Sequence, residues 1–398
     1  MSFLTHDMTH CPVCLNNNFV PFFELPEVPT QDGMLWKSQD EALHAPTGRI
    51  KLAFCHDCGF IGNLHFEPEK IKYDQDYSFS LFFSPTFREF LTSVANRLVS
   101  KYDITNKTVL EIACGEGDFL RLLCGAGGNQ GIGIDPITTT HTEQVGKNQI
   151  SFIKDLYTEK YADLAPDLIC CRQALDQLPD PKAMLKIIRE NIGDRLNTIV
   201  YVEVPNATGI FENMLIRNIM YEKSSWFTTN SLVSLFESSG FKVLSVAPCF
   251  DDDQYIGIEA MPVNEIELGK RFDSQAHAEF SRAVDDFGKR HEQKVDEWRR
   301  QLLQLKRNGQ KILAWGSGAG GINFFSTLGI QDEIPYLIDI NPKRQGKFMP
   351  ITGQPVMPAE FVKEYKPDTL VITNSTYEKE IKQSVSEMGI ECDFWVVK

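Results

Sequence analysis

An acidic residue, a small-residue turn and a second acidic residue follow one another at a spacing that suits a bound nucleoside. The segment from Lys107 to Asp135 begins KTVLEIACGEGDFL and closes with GNQGIGID. Glycine is needed where a ligand touches the backbone, because a Cβ atom would hold the ligand away. Asp135 lies 20 residues beyond Gly115, where a carboxylate can accept hydrogen bonds from both hydroxyls of a ribose. The segment therefore predicts a nucleoside-binding site.

Paired cysteines near the N-terminus predict a second kind of chemistry. Two C-x-x-C turns with 40 residues between them are formed by Cys11, Cys14, Cys55 and Cys58. Each turn presents two thiolates to one tetrahedral metal ion, so the set predicts a closed, structural zinc site. A redox role would need a single C-x-x-C at the start of a helix. His56 and His65 are further potential ligands, which we interpret as bystanders.

The elements that must position the nucleoside form a βαβ unit: strand, glycine turn, helix, strand and acid. Further strands are predicted at residues 150–153, 167–171 and 198–204, with helical patterns between them. Such regular alternation favours an open, largely parallel sheet with ligands at the carboxyl ends of its strands. Asp155 and Arg172 follow two of these strands, and we place both beside the same ligand.

A second βαβ unit begins near the C-terminal end of the chain. A strand from Lys311 to Trp315 runs into the turn GSGAGG, and a later strand ends at Asp339. Taken alone, this order predicts a dinucleotide site and hence a dehydrogenase that uses NAD. Apolar residues at three-four spacing over residues 274–305 predict one long amphipathic helix before it. We interpret this helix as a connector in preference to a partner-binding coiled coil.

Composition places the chain among ordinary globular proteins with about two or three domains. It has 398 residues, of which 42% are hydrophobic and 24% charged. The net charge of −14 disfavours nucleic acid as a partner, because such partners need a basic surface. No signal peptide or stretch of about 18 apolar residues is visible, so we expect a cytoplasmic protein without a membrane segment. Its oligomeric state is left open.

The first glycine turn and the acid before it resemble a known motif. E-x-A-C-G-x-G, with Glu111 inside the strand, is similar to the first motif of class I S-adenosylmethionine-dependent methyltransferases. With the other blocks, the chain resembles the zinc-containing methyltransferase family that includes the deoxysugar C-methyltransferases. The blocks that carry this resemblance, besides the paired cysteines, are VLEIACGEG, RQALDQLPDP, VYVEVPN, YEKSSWFTTNSLVSLFESSGF, WGSGAGG and DINPKRQGKFMP.

The resemblance implies an α/β fold in three parts joined by the long helix. A zinc-binding lobe would span residues 1–72 and a Rossmann-like class I methyltransferase domain residues 73–265. The connecting helix would take residues 266–308, and a Rossmann-like, substrate-binding α/β domain residues 309–398. S-adenosylmethionine is the implied cofactor, and the residues expected to hold it are Tyr77, Glu111, Ala113, Gly115, Gly117, Asp135, Asp155 and Arg172.

Two of these assignments keep an alternative. Tyr77 belongs to an aromatic passage, residues 73–83, that is either a packing strip between domains or a lid over the cofactor. As a lid it would set a ring against the sulfonium, which aromatic faces attract. Asp155 either accepts from the adenine amino group or is an ordinary turn aspartate.

In the sugar-methylating members of the family the acceptor is a nucleotide-linked 4-ketosugar between the last two domains. The residues expected to bind it here are Asn206, Trp226, Gly316, Gly318, Asp339, Lys343 and Gln345. The family histidine thought to remove the proton beside the ketone lies in a Tyr-Glu-His block. Tyr221, Glu222 and Lys223 match that block, so they are the expected catalytic residues.

This chain departs from the family at the catalytic block. Lys223 replaces the histidine, and Gln173, Asp176 and Gln177 replace the histidine, glutamate and histidine of an R-H-x-L-E-H segment. A lysine is a cation at neutral pH, and Glu222 beside it favours that form. Lys223 is therefore better suited to bind an enolate or a carboxylate than to remove a proton. Lys223 without any role remains the alternative. The expected activity is therefore sugar C-methylation, with O- or N-methylation of another metabolite, a dehydrogenase and a non-catalytic cofactor-binding protein as alternatives.

Overall fold

The computed structural model describes residues 10–31, 33–72, 80–251, 253–265 and 274–397. The N-terminal lobe contains three strands and a short helix: β1 (Phe19–Pro29), α1 (Gln39–Leu43), β2 (Thr47–Cys55) and β3 (Ile61–Asn63). The strands pair antiparallel in chain order. Ser38 is the N-cap of α1 and forms a capping box. Its hydroxyl accepts from the Glu41 N–H, and the Glu41 carboxylate accepts from the Ser38 N–H.

A larger sheet follows. Its elements, in chain order, are α2 (Pro85–Lys101), β4 (Thr108–Ile112), α3 (Asp118–Gly127), β5 (Gln130–Asp135), β6 (His141–Val145), β7 (Asn148–Lys154), β8 (Leu168–Arg172), α4 (Pro181–Ile192), β9 (Ile199–Pro205), α5 (Ala207–Glu212), β10 (Ser225–Trp226), α6 (Thr229–Ser238), β11 (Phe241–Cys249) and β12 (Tyr255–Pro262). The sheet order is β11-β12-β9-β8-β4-β5-β7-β6. Its five central strands are parallel, and the chain therefore has the doubly wound α/β fold of class I methyltransferases, with a ligand edge at their carboxyl ends.

Strand β10 does not join this sheet. Ser225 and Trp226 pair antiparallel with β3, which gives the N-terminal lobe the order β1-β2-β3-β10. The residues just before β10, which include Glu222 and Lys223, are therefore fixed to the lobe. A hydrogen bond from the Asn63 N–H to the Ser224 carbonyl, 2.9 Å long, continues this attachment.

The C-terminal part begins with two connecting helices, α7 and α8, and continues into a third sheet, which is parallel and has further helices between its strands. The elements are α7 (Ser274–Asp285), α8 (Phe287–Arg307), β13 (Ile312–Trp315), α9 (Ala319–Leu328), β14 (Leu337–Ile338), β15 (Val356–Met357), α10 (Phe361–Tyr365), β16 (Thr369–Ile372), α11 (Glu378–Glu387) and β17 (Asp393–Val396). The strands are ordered β15-β14-β13-β16-β17. One buried core, including Phe54, Phe211, Phe287, Trp298 and Phe324, joins the lobe and the connecting helices to this sheet.

The segment expected to be one long helix is divided. Asp286, with φ −95° and ψ 1°, separates α7 from α8. Arg290 bridges the break by donating to the Ala283 carbonyl and to the carbonyls of Phe211 and Glu212. The break lets α7 pack its Phe280 on Phe54 of the lobe while α8 follows the C-terminal sheet. Three-four spacing continues through such a break, so the sequence pattern does not mark it.

Candidate active site

The four cysteine side chains of the lobe converge on one point. Their sulfur atoms all lie within 4.8 Å of one another, with Cys11 and Cys58 3.6 Å apart and Cys14 and Cys55 3.5 Å apart. Zinc–sulfur bonds of about 2.3 Å in a tetrahedron place sulfur atoms about 3.8 Å apart. The donor set therefore fits a zinc ion. No histidine of the described residues joins the group.

A cavity opens at the carboxyl ends of β4 and β5, and we call it the strand-end cavity. Its lining includes Glu111, Ala113, Gly115, Asp135 and Asp155. Gly115 has φ +54° and nothing within 4 Å of the position a Cβ would take, so its open side faces a ligand. The Asp135 carboxylate accepts from the N–H groups of Gly115 and Ile137, each at 2.8 Å. These bonds fix its direction at the edge of the cavity.

Glu111 carries the most perturbed carboxyl group of this cavity. Its side chain is buried on β4, and its Oε2 has no hydrogen-bond partner in the described part of the chain. Burial raises the pKa of Glu111 to about 8, although the charge of nearby Arg172 opposes the rise. A ligand cation placed beside Oε2 would supply the missing partner. Arg172 also lines the cavity but donates to Glu203 at 2.8 Å and stacks over the Phe119 ring.

The other expected cofactor residues have different surroundings. Asp155 lines the strand-end cavity, and hydrogen bonds from Lys160 and the Tyr161 hydroxyl lower its pKa to about 2. Gly117 is absent from the described lining. It has φ +80°, and a Cβ there would lie 2.3 Å from the Phe152 ring, so close packing explains this glycine. Tyr77 lies outside the described residues.

A second cavity lies between the two large sheets, and we call it the interdomain cavity. The glycine turn of the C-terminal sheet forms one wall through Gly316, Gly318 and Asp339. Gly316 has φ +108°, and a Cβ there would lie 2.5 Å from the Thr373 hydroxyl. Gly318, at the start of α9, has nothing within 4 Å of its Cβ position. The backbone at Gly318 is therefore open to a ligand.

Two arginines, Arg217 and Arg344, bring positive charge to the interdomain cavity. Both are buried, and Arg217 packs against Gly320 at the start of α9. Arg344 donates to the Ser317 hydroxyl at 2.9 Å and lies 3.6 Å from the Asp339 carboxylate. Two guanidinium groups and a helix N-terminus at one cavity suit an anionic ligand.

Two residues expected at the acceptor have other partners. The Lys343 ammonium forms an ion pair with Glu116 of the first glycine turn at 2.6 Å. The Gln345 side chain donates to the Asp339 carbonyl at 3.0 Å. Neither residue belongs to the described lining of the interdomain cavity. Lys343 instead ties the C-terminal domain to the edge of the strand-end cavity.

Lys223 lies where the two cavities meet. It lines both, is only 6% exposed and forms an ion pair with Asp176, which is fully buried. Glu222 lines the strand-end cavity, where its carboxylate accepts from the Gly33 N–H at 3.0 Å. The two sequence departures at positions 176 and 223 are therefore in direct contact with each other.

Three further expected residues, Tyr221, Asn206 and Trp226, are also absent from the described lining of either cavity. The Tyr221 ring packs against Gly48, and its hydroxyl accepts from the Glu67 N–H at 3.0 Å. Asn206 begins α5 and accepts from the Thr208 N–H, so its amide serves as an N-cap. Trp226 is fully buried and donates to the Asn218 carbonyl. Each side chain stabilises the fold around the site.

Sequence reasoning did not select Asp176, Arg217 or Arg344 as site residues. Asp176 departs from the family pattern, and its contact with Lys223 spans 47 positions of the sequence. In the structure α5 ends at Glu212 and Arg217 lies in a short 3₁₀ turn, Ile216–Asn218. Arg344 lies beside Lys343, which was selected in its place. No local sequence pattern indicates that an arginine will be buried at a cavity.

Two family models match the chain. The methyltransferase domain family matches residues 86–246, and the family described as the C-methyltransferase C-terminal domain matches residues 264–397. The chain is also 21% identical over 401 residues to the C-methyltransferase NovU of Streptomyces niveus, which covers 97% of this chain and 94% of NovU. The two matched regions correspond to the two sheets that enclose the interdomain cavity.

Similar solved structures are also methyltransferases. Magnesium protoporphyrin IX methyltransferase from Synechocystis PCC 6803, with bound S-adenosylhomocysteine, is 15% identical with a TM-score of 0.34, over 44% of this chain and 84% of its own. The N,N-8-amino-8-demethyl-D-riboflavin dimethyltransferase of Streptomyces davawensis is 18% identical with a TM-score of 0.32, over 44% and 56%. Both likenesses are weak and cover less than half of the chain. Among the described residues, no helix is both long and apolar enough to cross a membrane.

Proposed function

The chain belongs to the S-adenosylmethionine-dependent methyltransferases that carry a C-methyltransferase C-terminal domain, and we propose that it methylates a carbon atom of a nucleotide-linked ketosugar. The observation that carries the proposal is the meeting of two cavities at Lys223. One cavity has the features of a nucleoside site, and the other presents two arginines and an open glycine turn. A cofactor and an anionic acceptor placed in them would approach each other at the Lys223 ammonium.

S-adenosylmethionine would occupy the strand-end cavity. Gly115 offers open backbone, and Asp135 offers a carboxylate to a ribose. The partnerless oxygen of Glu111 suits the ammonium group of the methionine part. Ala113 and Asp155 complete the lining on either side.

The acceptor would occupy the interdomain cavity. Arg217, Arg344 and the N-terminus of α9 at Gly318 can bind the diphosphate of a nucleotide-linked sugar. NovU is a C-methyltransferase that matches this chain along nearly its whole length, which supports carbon as the methylated atom. The sugar ring would then lie towards Lys223, where the two cavities join.

The cofactor supplies an electrophilic methyl group on a sulfonium, and the protein must supply a carbon nucleophile. The Glu222 carboxylate takes the proton from the carbon beside the ketone, and the electron pair of that C–H bond forms an enolate. The Lys223 ammonium pairs with the enolate oxygen, where negative charge develops. When bound, S-adenosylmethionine would supply the methyl group for the new C–C bond to the enolate carbon, and the electron pair of its C–S bond would stay on sulfur. Gly33, whose N–H holds Glu222, comes from the lobe.

A zinc ion held by Cys11, Cys14, Cys55 and Cys58 would act through the lobe. The lobe positions β3, and β3 pairs with β10, which begins two residues after Lys223. Metal binding would therefore stabilise the backbone that presents Glu222 and Lys223. The cysteine cluster is distant in sequence from Glu222 and Lys223, but the lobe sheet β1-β2-β3-β10 connects it to them.

Methylation of an oxygen or nitrogen atom is the second candidate. No histidine lines either cavity in the described part of the chain, so the proton acceptor of the sugar-methylating relatives has no counterpart there. An oxygen or nitrogen nucleophile needs less activation, and correct positioning supplies most of the rate. This candidate keeps the same cofactor and cavity but removes the enolate step.

Methyl transfer from tritiated S-adenosylmethionine to nucleoside-diphosphate 4-ketosugars tests the proposal. We expect a product whose new methyl group is bonded to carbon by NMR, and exchange of the adjacent C–H in deuterated water without the cofactor. The Lys223→Ala variant should lose far more rate than affinity for S-adenosylmethionine. A methyl ether or N-methyl product would favour the second candidate. An absence of both transfer and exchange with these sugars would refute the ketosugar proposal.

A further inference from the structure

Asp176 forms a buried ion pair with Lys223, and it comes from a different part of the chain. It lies in a short 3₁₀ turn, Leu175–Gln177, that follows β8. We propose that Asp176 is a positioning residue, which holds the Lys223 ammonium at the junction of the two cavities so that it can stabilise the anion formed on the acceptor. This inference rests on the function proposed above.

The backbones of the two segments are fastened together beside the ion pair. The Ser224 N–H donates to the Asp176 carbonyl at 2.9 Å. The Ser224 hydroxyl is within hydrogen-bond distance of the same carbonyl and of the Leu178 carbonyl. These contacts hold the backbone next to Lys223 at a fixed distance from the backbone of Asp176. The Asp176 carboxylate therefore determines where the lysine side chain ends. A lysine has four flexible carbons and needs such an anchor to point in one direction.

The ion pair leaves part of the ammonium available. A lysine ammonium has three N–H donors, and Asp176 Oδ2 accepts from it on one side. Lys223 lines both cavities, whereas Asp176 is fully buried and lines neither. Lys223 therefore borders the space where cofactor and acceptor would meet, whereas the Asp176 carboxylate that is paired with its ammonium does not. The other carboxylate oxygen, Oδ1, has no hydrogen-bond partner among the described residues.

This arrangement is poorly explained by stability alone. A buried ion pair often contributes no more to stability than well-packed apolar side chains of similar volume. Asp176 also keeps a buried oxygen without a partner, which is unfavourable for a purely structural carboxylate. A role in directing the charge of Lys223 accounts for both features.

Kinetics of the full-length enzyme test the proposal with S-adenosylmethionine and a nucleoside-diphosphate 4-keto-6-deoxyhexose. Asp176→Asn should lower kcat about 100-fold, as the loss of an oriented transition-state donor does, with KM for S-adenosylmethionine nearly unchanged. Asp176→Glu should recover about tenfold of the loss, because it restores the charge. The double variant with Lys223→Met should be no slower than Lys223→Met alone. The proposal would be overturned if the two substitutions lowered kcat independently, so that their effects multiplied in the double variant. It would also be overturned if Asp176→Asn lowered Tm but kept full kcat.

Glu259→Gln is the matched control. Glu259 is also a buried carboxylate with a lysine partner, Lys101, but it lines neither cavity in the described structure. Its loss should lower Tm and leave kcat within about twofold of the wild type. A fall in kcat as large as that of Asp176→Asn would show that any lost buried carboxylate has this effect, and would overturn the proposal.

A second measurement needs no acceptor. Protein labelled with ¹⁵N-lysine should give a resonance from an ordered ammonium at neutral pH, assigned by its loss in Lys223→Met. Asp176→Asn should remove or shift this resonance. Absence of a Lys223 resonance in the wild type, or an unchanged resonance in Asp176→Asn, would overturn the inference. If the wild type leaves the ketosugar unmethylated, the proposed function fails, while this measurement still decides the role of Asp176.

Discussion

Replacing Glu111 by glutamine should remove a titration that opposes folding at neutral pH. The Glu111 carboxyl is buried on β4, and burial raises its pKa to about 8 from an ordinary 4.5. Because the folded-state pKa lies above the unfolded one, the protonated form contributes stability below pH 4.5. That contribution is lost as the pH rises through 8. Glutamine is neutral throughout, so the variant should lack this loss.

The magnitude follows from the size of the pKa shift. A rise from 4.5 to about 8 corresponds to at most about 5 kcal/mol, at 1.36 kcal/mol for each pKa unit. The free energy of unfolding of the ligand-free wild type should therefore fall, relative to Glu111→Gln, by about 1.4 kcal/mol per pH unit between about pH 5 and 7.5. The variant should be the more stable protein at pH 7. Urea denaturation at a series of pH values measures this difference.

With the cofactor bound, the difference in stability between the wild type and Glu111→Gln should change sign. The ammonium group of S-adenosylmethionine favours the ionised form of Glu111, so binding at pH 7 should release about one proton. Calorimetry in buffers with different ionisation enthalpies counts that proton. Glu111→Gln should release none and should bind the cofactor about tenfold to a hundredfold more weakly, because a charge-assisted hydrogen bond is lost. Asp135→Asn, the control, should bind weakly but keep the proton release. A wild-type enthalpy that is independent of buffer at pH 7 would refute the reasoning.

Three further predictions follow from the same structure. Asp135→Asn should weaken S-adenosylmethionine binding about tenfold in calorimetry, while leaving the affinity for the acceptor unchanged. Cys11→Ser should lower the zinc content below one ion per chain by mass spectrometry and destabilise the protein by about 4 kcal/mol in urea; full stability without metal would contradict the site. Gly318→Ala should raise the acceptor KM about tenfold, because the new methyl group occupies the open side of the turn. Gly125→Ala, on the exposed face of helix α3 with equally open space, is its control and should leave KM unchanged.

The elements that sequence alone predicted are those whose signals are local. The doubly wound fold follows from strand–helix alternation and from two glycine turns, each within about 30 residues of chain. The four cysteines form a cluster because each C-x-x-C turn fixes two sulfur atoms by itself. Their role as a zinc site remains a prediction. The hairpin strand β6 and the break at Asp286 left no comparable pattern.

Side chains that meet through tertiary packing were the ones that sequence could not select. Arg217 comes from a segment that changes from helix to 3₁₀ turn, and Asp176 reaches Lys223 across 47 positions. Tyr221, next to Glu222 and Lys223 in sequence, packs instead in the lobe against Gly48. Adjacent residues on an irregular segment point in different directions, so membership of a motif does not by itself place a side chain in a cavity.

The two glycine turns differ in the partners of the acid that follows each of them, and this difference divides their roles. Asp135 accepts from backbone N–H groups in the described structure, and no basic side chain is paired with it there. Asp339 accepts from Ser317, and Arg344 lies 3.6 Å from it. A carboxylate whose oxygens already accept from neighbouring side chains has less capacity for ribose hydroxyls, whereas the arginine beside it attracts phosphate. The second turn is therefore better suited to the anionic part of an acceptor than to NAD. Tight NAD binding that is abolished by Asp339→Ala would contradict this division.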